Sequence, residues 1–176
     1  MKKYPVYLIF LLTVNCLIGQ NLQKLKKKAE NGNAKSQYEL FSKYLNEFND
    51  KTTTEEKSKA FYWLMKSAEK GYALAQLRLG IFRKYGEHLL TDHKKAFNWF
   101  KKSAKQGNYY AQFYLGEMYL TGKGTLTDKK KAFYWMKKSS EQGFDGAQYS
   151  LGLMHFKGEG TLVDKKKAAF WIRKSY

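Results

Sequence analysis

Residues 111–143 read AQFYLGEMYLTGKGTLTDKKKAFYWMKKSSEQG, and residues 147–176 repeat the phrase as AQYSLGLMHFKGEGTLVDKKKAAFWIRKSY. Matching positions are 36 residues apart. Trp63, Trp99, Trp135 and Trp171 keep that step. So do Gly71, Gly107 and Gly143, then Gly80, Gly116 and Gly152, and finally Asp92, Asp128 and Asp164. A fixed interval held by several independent residue types is the signature of a repeat solenoid.

Each unit reads as two helices. Ala111, Leu115, Gly116 and Tyr119 fall at i, i+4, i+5 and i+8 on one face of a first helix, expected to be short. Ala147, Leu151, Gly152 and His155 hold the same face one unit later. A glycine in mid-helix costs roughly 1 kcal/mol against alanine. Its return in successive units predicts that another helix comes close at that point. Asp128 is a good N-cap for the second helix. Ala132, Trp135, Met136 and Ser139 mark its predicted buried face, and Gly143 ends it as a left-handed cap. The loop between the helices, Gly122-Lys123-Gly124-Thr125-Leu126, recurs as Gly158-Glu159-Gly160-Thr161-Leu162. One unit earlier it relaxes to Gly86-Glu87-His88-Leu89-Leu90.

The pattern extends upstream with an insertion. Ala29-Glu30-Asn31-Gly32 matches Ala68-Glu69-Lys70-Gly71 at an interval of 39, which assigns three extra residues to a longer first loop over residues 49–56. The expected architecture is all-α: a right-handed α/α superhelix, or solenoid, of helix-turn-helix repeats. A capping helix at 20–32 precedes four hairpins at about 33–71, 72–107, 108–143 and 144–176. The last second helix has no following unit, so self-association or a partner is expected on its apolar flank.

With 176 residues, 43% of them hydrophobic and 17% aromatic, the chain has material for a real core and is not a disordered tail. Lys2 and Lys3 followed by the apolar run 6–18 have the form of a secretory signal, too short to span a membrane as a helix. Export to the periplasm or the medium is therefore expected. Two processing outcomes are open. One is cleavage after Gly19, and the other is lipid attachment at Cys16, for which the preceding Asn15 is a poor small residue. Cys16 is the single cysteine, so no disulfide is expected in the mature chain.

The quoted residues resemble the Sel-one-like repeat family, relatives of the tetratricopeptide repeats. Its pattern joins A-x-x-x-L-G-x-x-Y, a G-x-G loop, D-x-x-K-A-x-x-W and a closing glycine. Ala111, Leu115, Gly116, Tyr119, Gly122, Gly124, Asp128, Lys131, Ala132, Trp135 and Gly143 follow it, and the resemblance covers about residues 22–176. His88 departs from it at the second loop glycine, and Phe41 stands where Gly80 stands later. The resemblance implies an adaptor or scaffold that binds proteins. Cysteine-rich secreted members are linked to β-lactamase or penicillin-binding activity, but the paired cysteines are missing here.

A hydrolase is the competing reading. Ser67-Ala68-Glu69-Lys70 spells S-x-x-K, yet Ser103 and Ser139 fill the same slot without the lysine, and no S-D-N or K-T-G string follows. His88, His93 and His155 show no metal-ligand spacing, and the G-x-G loops lack the strand and G-K-[ST] of a phosphate loop. No catalytic residue, metal or cofactor is expected.

Two surfaces are candidates instead. Repeat proteins grip with positions that vary on a constant scaffold. One such slot on the first helices holds Glu39, Arg78, Tyr114 and Ser150. A second, three residues on, holds Ser42, Ile81, Glu117 and Leu153. The other surface follows from a net charge of +18. Lys94-Lys95, Lys129-Lys130-Lys131 and Lys165-Lys166-Lys167 open successive second helices and should align as a basic ridge. Such a ridge suits an acidic protein or an anionic envelope polymer, or is merely a solvated face. Nucleic acid is not expected as a partner, because the signal directs the chain away from it and the aromatics sit at core intervals.

Overall fold

The computed structural model describes residues 19–49 and 51–176. Residues 1–18, on which the expected export signal and Cys16 fall, lie outside the described residues. These form nine helices and no strand. They are α1 (residues 19–30), α2 (Ala34–Asn46), α3 (Thr54–Glu69), α4 (Ala73–Tyr85), α5 (His93–Lys105), α6 (Tyr109–Thr121), α7 (Lys129–Glu141), α8 (Asp145–Lys157) and α9 (Lys165–Lys174). They divide into two compact units at Lys70 and Gly71. In the first unit α2 packs on α3; in the second each of α4 to α9 packs on the next along the chain. The all-α helical-repeat class expected from the periodicity is what forms.

The ends of the helices are written into the sequence. Asp92, Asp128 and Asp164 cap α5, α7 and α9, each carboxylate accepting at 2.9 Å from the backbone N–H of Lys95, Lys131 or Lys167. Thr53 and Glu56 form a reciprocal capping box at α3. That box corrects one expectation: Thr54, Glu55 and Glu56 belong to the first turn of α3, not to the inserted loop. A second correction concerns the first helices. They are not short, since α4, α6 and α8 have 13 residues each, as long as α5 and α7.

In the second unit the core runs through Leu77, Phe100, Leu115, Met118, Met136 and Leu151, closed by a layer of alanines. The in-helix glycines sit where the spacing predicted a close neighbour. A Cβ on Gly80 would stand 2.5 Å from the Phe100 ring, and one on Gly152 would stand 2.6 Å from Ile172 and 3.0 Å from the Ala168 carbonyl. Gly116 would meet the Ala132 carbonyl at 3.2 Å. The tryptophans are only half-buried, which revises the predicted buried face. Successive helix positions turn by about 100°, so Phe100 and Met136, one residue after Trp99 and Trp135, point straight at the first helix. The indoles lie on the flank instead. Trp135 and Trp171 rest on the core edge, and the ammonium groups of Lys102 and Lys174 cover Trp99 and Trp171 at 4.4 and 5.2 Å.

Polar groups tie the two helices of each hairpin together at depth. The fully buried Ser103 and Ser139 hydroxyls donate to the carbonyls of Ala73 and Tyr109 at 2.8 Å. Gln106 and Gln142 donate at the same distance to Gln76 and Gln112. Each hydrogen bond joins residues 30 apart, so each fixes the register of a second helix on the first helix of its own hairpin.

The loops stack as well. Gly124 and Gly160 are left-handed, with φ of 76° and 73°, and a Cβ on either would overlap a backbone carbonyl oxygen, that of His93 or of Lys129. His88 takes the same left-handed conformation at φ 60°, the one non-glycine residue among those described to do so. Its ring lies edge-on to Phe82 at 5.5 Å. Gly160→Ala should therefore lower unfolding free energy by roughly 2–4 kcal/mol, from strain and overlap together. His88→Gly, which relieves strain but loosens the unfolded chain less favourably, should stay within about 0.5 kcal/mol of the parent. Chemical denaturation of both variants checks the contrast.

Candidate functional site

The variable slots on the first helices of the second unit form one accessible face. Arg78 and Ile81 of α4, Tyr114 and Glu117 of α6, and Ser150 and Leu153 of α8 are all half-buried. In the first unit Glu39 is exposed, beside Lys35 one turn earlier, and Ser42 is half-buried on the same helix.

Tyr114 and Glu117 are not idle surface. The Tyr114 ring stacks on Phe100 at 4.9 Å and 21°. Lys84, whose side chain is nearly buried, reaches across from α4 to form an ion pair with Glu117 and sits 4.5 Å from the centre of the Tyr114 ring. Tyr85 meets Tyr114 edge-on at 6.4 Å. Burial, and then the neighbouring Tyr85, push the Tyr114 hydroxyl up to about 12, so it stays protonated. Phe113 meets Phe144 at 5.1 Å, and Phe144 meets Tyr110 at 5.0 Å. The outcome is an interlocked aromatic face along α4, α6 and the start of α8, with Tyr85, Tyr110 and Tyr149 exposed at its margin. Of this cluster the slot comparison found Tyr114 and Glu117. It missed Lys84, Tyr85, Tyr110 and Phe144, which keep no common repeat position and meet only through packing. The buried Gln76, Gln112 and Gln148 were also missed, although they keep the 36-residue step.

The lysines of the predicted ridge lie exposed at the starts of α5, α7 and α9. Lys95, Lys131 and Lys167 fold back on the capping aspartates at 3.3, 2.8 and 3.3 Å, and Lys129 reaches Glu159 at 3.1 Å. Lys94, Lys130, Lys165 and Lys166 have no ion pair among the described residues. Hydrogen bonds from Lys131 hold the Asp128 carboxyl below its ordinary range, and backbone N–H groups do the same for Asp92 and Asp164.

The residues with chemical potential are sealed or solitary. Ser67 is fully buried and its hydroxyl donates to the Ala34 carbonyl at 2.6 Å, as Ser103 and Ser139 do to theirs. A hydroxyl closed off from solvent and committed to a backbone acceptor is a packing element. His155 is buried edge-on to Phe133 at 5.2 Å, and that burial lowers its proton affinity. Among the described residues no group of three or more His, Cys, Asp or Glu side chains could hold a metal ion.

A sequence profile described as the Sel1 repeat matches residues 34–72, 73–108, 110–144 and 146–176. A protective antigen of uropathogenic Escherichia coli that displays an SLR fold is 38% identical, with a TM-score of 0.79 over 88% of this chain. The chain spans 32% of that antigen's length. A Sel1 repeat protein from Oxalobacter formigenes is 32% identical with a TM-score of 0.69, over 75% of this chain and 97% of that one. Cysteine rich protein B of Helicobacter pylori is 20% identical over 72% of this chain and 91% of its own, with a TM-score of 0.54, and shares the fold. No match is found among curated proteins.

Two outcomes follow from the geometry. Ser67→Ala should cost roughly 0.5–1.5 kcal/mol of stability, the net value of one buried hydrogen bond, measured by denaturant titration. Carboxyls held below their ordinary pKa stabilise the fold above that value and stop doing so as pH falls through the folded one. Thermal stability should accordingly decline on acidification below about pH 4. Replacing Asp92, Asp128 and Asp164 by asparagine, which caps without titrating, should flatten that decline in melts followed by circular dichroism.

Proposed function

The chain belongs to the Sel1 repeat family, and on that premise we propose that it is an exported, non-catalytic scaffold that binds a protein partner along its first-helix face. Sel1 repeat proteins generally mediate protein–protein interaction. The observation that carries the reading here is the interlocked aromatic face of α4, α6 and α8. Tyrosines and phenylalanines held in place by their neighbours lose little freedom on binding, which is why such residues dominate protein interfaces. The Lys84–Glu117 pair beneath them keeps the patch rigid before a partner arrives. Export is supported by the basic and apolar pattern of residues 2–18. The burial of Ser67 speaks against a hydrolase centred on it.

Surface variants test the binding face without opening the core. Tyr85→Ala and Arg78→Glu should each weaken a captured partner at least about tenfold while leaving the melting temperature within a few degrees, since Tyr85 is exposed and Arg78, half-buried, lies outside the core. Capture from envelope extract with quantitative mass spectrometry reads the first effect, and thermal melts read the second. Partners held equally by both variants would exclude this face.

A further inference from the structure

The edge of the second unit that carries the loops between first and second helices has a composition that neither packing nor the aromatic face uses. Leu90, Leu126 and Leu162 occupy the same position in successive loops, two residues before the capping aspartates. They are 86, 87 and 86% exposed. Val163, beside Leu162, is exposed too. Single apolar residues on a surface are ordinary, but the same large side chain turned outward at three matching positions is a pattern.

These tips are not independent flexible loops. Gly124 packs on the backbone of His93 and Gly160 on that of Lys129, with no room for a Cβ at either. The Lys129–Glu159 pair joins the start of α7 to the next loop. Leu126 and Leu162 are therefore carried on loops locked to the preceding hairpin, and Leu90 holds the matching position in the loop before them. Basic residues flank every tip. Over residues 86–95, 122–131 and 158–167 there are nine lysines against five carboxylates. Three of those carboxylates are the helix caps, and Glu159 is engaged by Lys129. Lys94, Lys130, Lys165 and Lys166 are left exposed.

We propose that this edge docks on the surface of an anionic lipid bilayer, with the leucine tips entering the interfacial layer and the lysines at the level of the headgroup phosphates. The argument is one of layered complementarity. A bilayer offers negative charge outermost and apolar chains a few ångströms deeper, and the edge presents highly exposed leucine tips flanked by exposed lysines. An acidic polysaccharide would meet the lysines but give the leucines no apolar layer to enter. No described helix is long and apolar enough to cross a membrane, so the contact proposed is with the surface. It uses residues other than those of the aromatic face of the first helices, and either surface can fail without the other.

The test uses the full chain and vesicle co-sedimentation, comparing pure phosphatidylcholine with a mixture containing roughly 30% phosphatidylglycerol at about 0.1 M salt. Wild type should bind the anionic vesicles and ignore the neutral ones. A triple variant, Leu90→Ser with Leu126→Ser and Leu162→Ser, keeps the charge and should lose at least about tenfold in apparent affinity. Its retention on immobilised heparin should not change. The corresponding methionine triple, equally apolar, should bind like wild type, which separates loss of the tips from loss of the fold. Three results would overturn the proposal. Wild type held by heparin but not by anionic vesicles makes the ridge a polyanion site only. A serine triple that binds vesicles as wild type does removes the leucines from the interaction. A methionine triple that loses binding with the serine one assigns the effect to loop structure.

Discussion

Helices in the second unit come together where one of them has no side chain. At Gly80, Gly116 and Gly152 the space a Cβ would need is already filled by Phe100, by the backbone at Ala132 or by Ile172. Alanines at 96, 132 and 168 are buried on the other helix, and at Gly116 and Gly152 the Ala132 and Ala168 carbonyls bring backbone against backbone across the hairpin. Such an approach loses the helix propensity of alanine at each glycine, about 1 kcal/mol, and recovers it as dense packing. Everything else in the unit is arranged around that distance. Phe100 and Met136 can lie flat against the first helix because it offers a notch rather than a ridge. Ser103 and Ser139 are near enough to reach carbonyls of the preceding first helix.

This geometry also explains why the serine of the most enzyme-like motif is sealed from solvent. Ser67 occupies in the first unit the slot that Ser103 and Ser139 hold in the second, and the hydroxyl in all three is buried with a carbonyl acceptor. A small polar residue is wanted there because a buried hydroxyl can be satisfied by a passing carbonyl, whereas a larger side chain would hold the helices apart. Lys70, three residues on, completes the S-x-x-K letters around a serine whose hydroxyl is already engaged.

With the interior devoted to packing, function falls to what the repeats turn outward. Two such faces differ in physical character. The first-helix face is aromatic, partly buried and rigid, with Tyr114 held between Phe100 and Lys84. The loop edge is charged and apolar by turns, with exposed leucines flanked by lysines, and its shape is set by two glycines that let one loop rest on the hairpin before it. The first face suits a shaped protein surface; the second suits a layered one. Capping links the edge to stability. Asp92, Asp128 and Asp164 offset both the adverse charge of the lysines at a helix N-terminus and the open backbone N–H groups there.

By itself the sequence determined the unit length, the helical hairpin, the aspartate caps and the close approach at the glycines. Each of these follows from a local rule that acts within one turn or one repeat step, so spacing alone displays it. Tertiary structure decided the rest. It put Trp99 and Trp135 on the flank and gave the deep positions to Phe100 and Met136, because a one-residue turn of the helix can be judged only against the partner helix. It assembled Lys84, Tyr85, Tyr110 and Phe144 around Tyr114 from positions with no shared register. It also turned Leu90, Leu126 and Leu162 outward, although as letters they are indistinguishable from core leucines. Burial is a relation between distant parts of the chain, and no residue carries it alone.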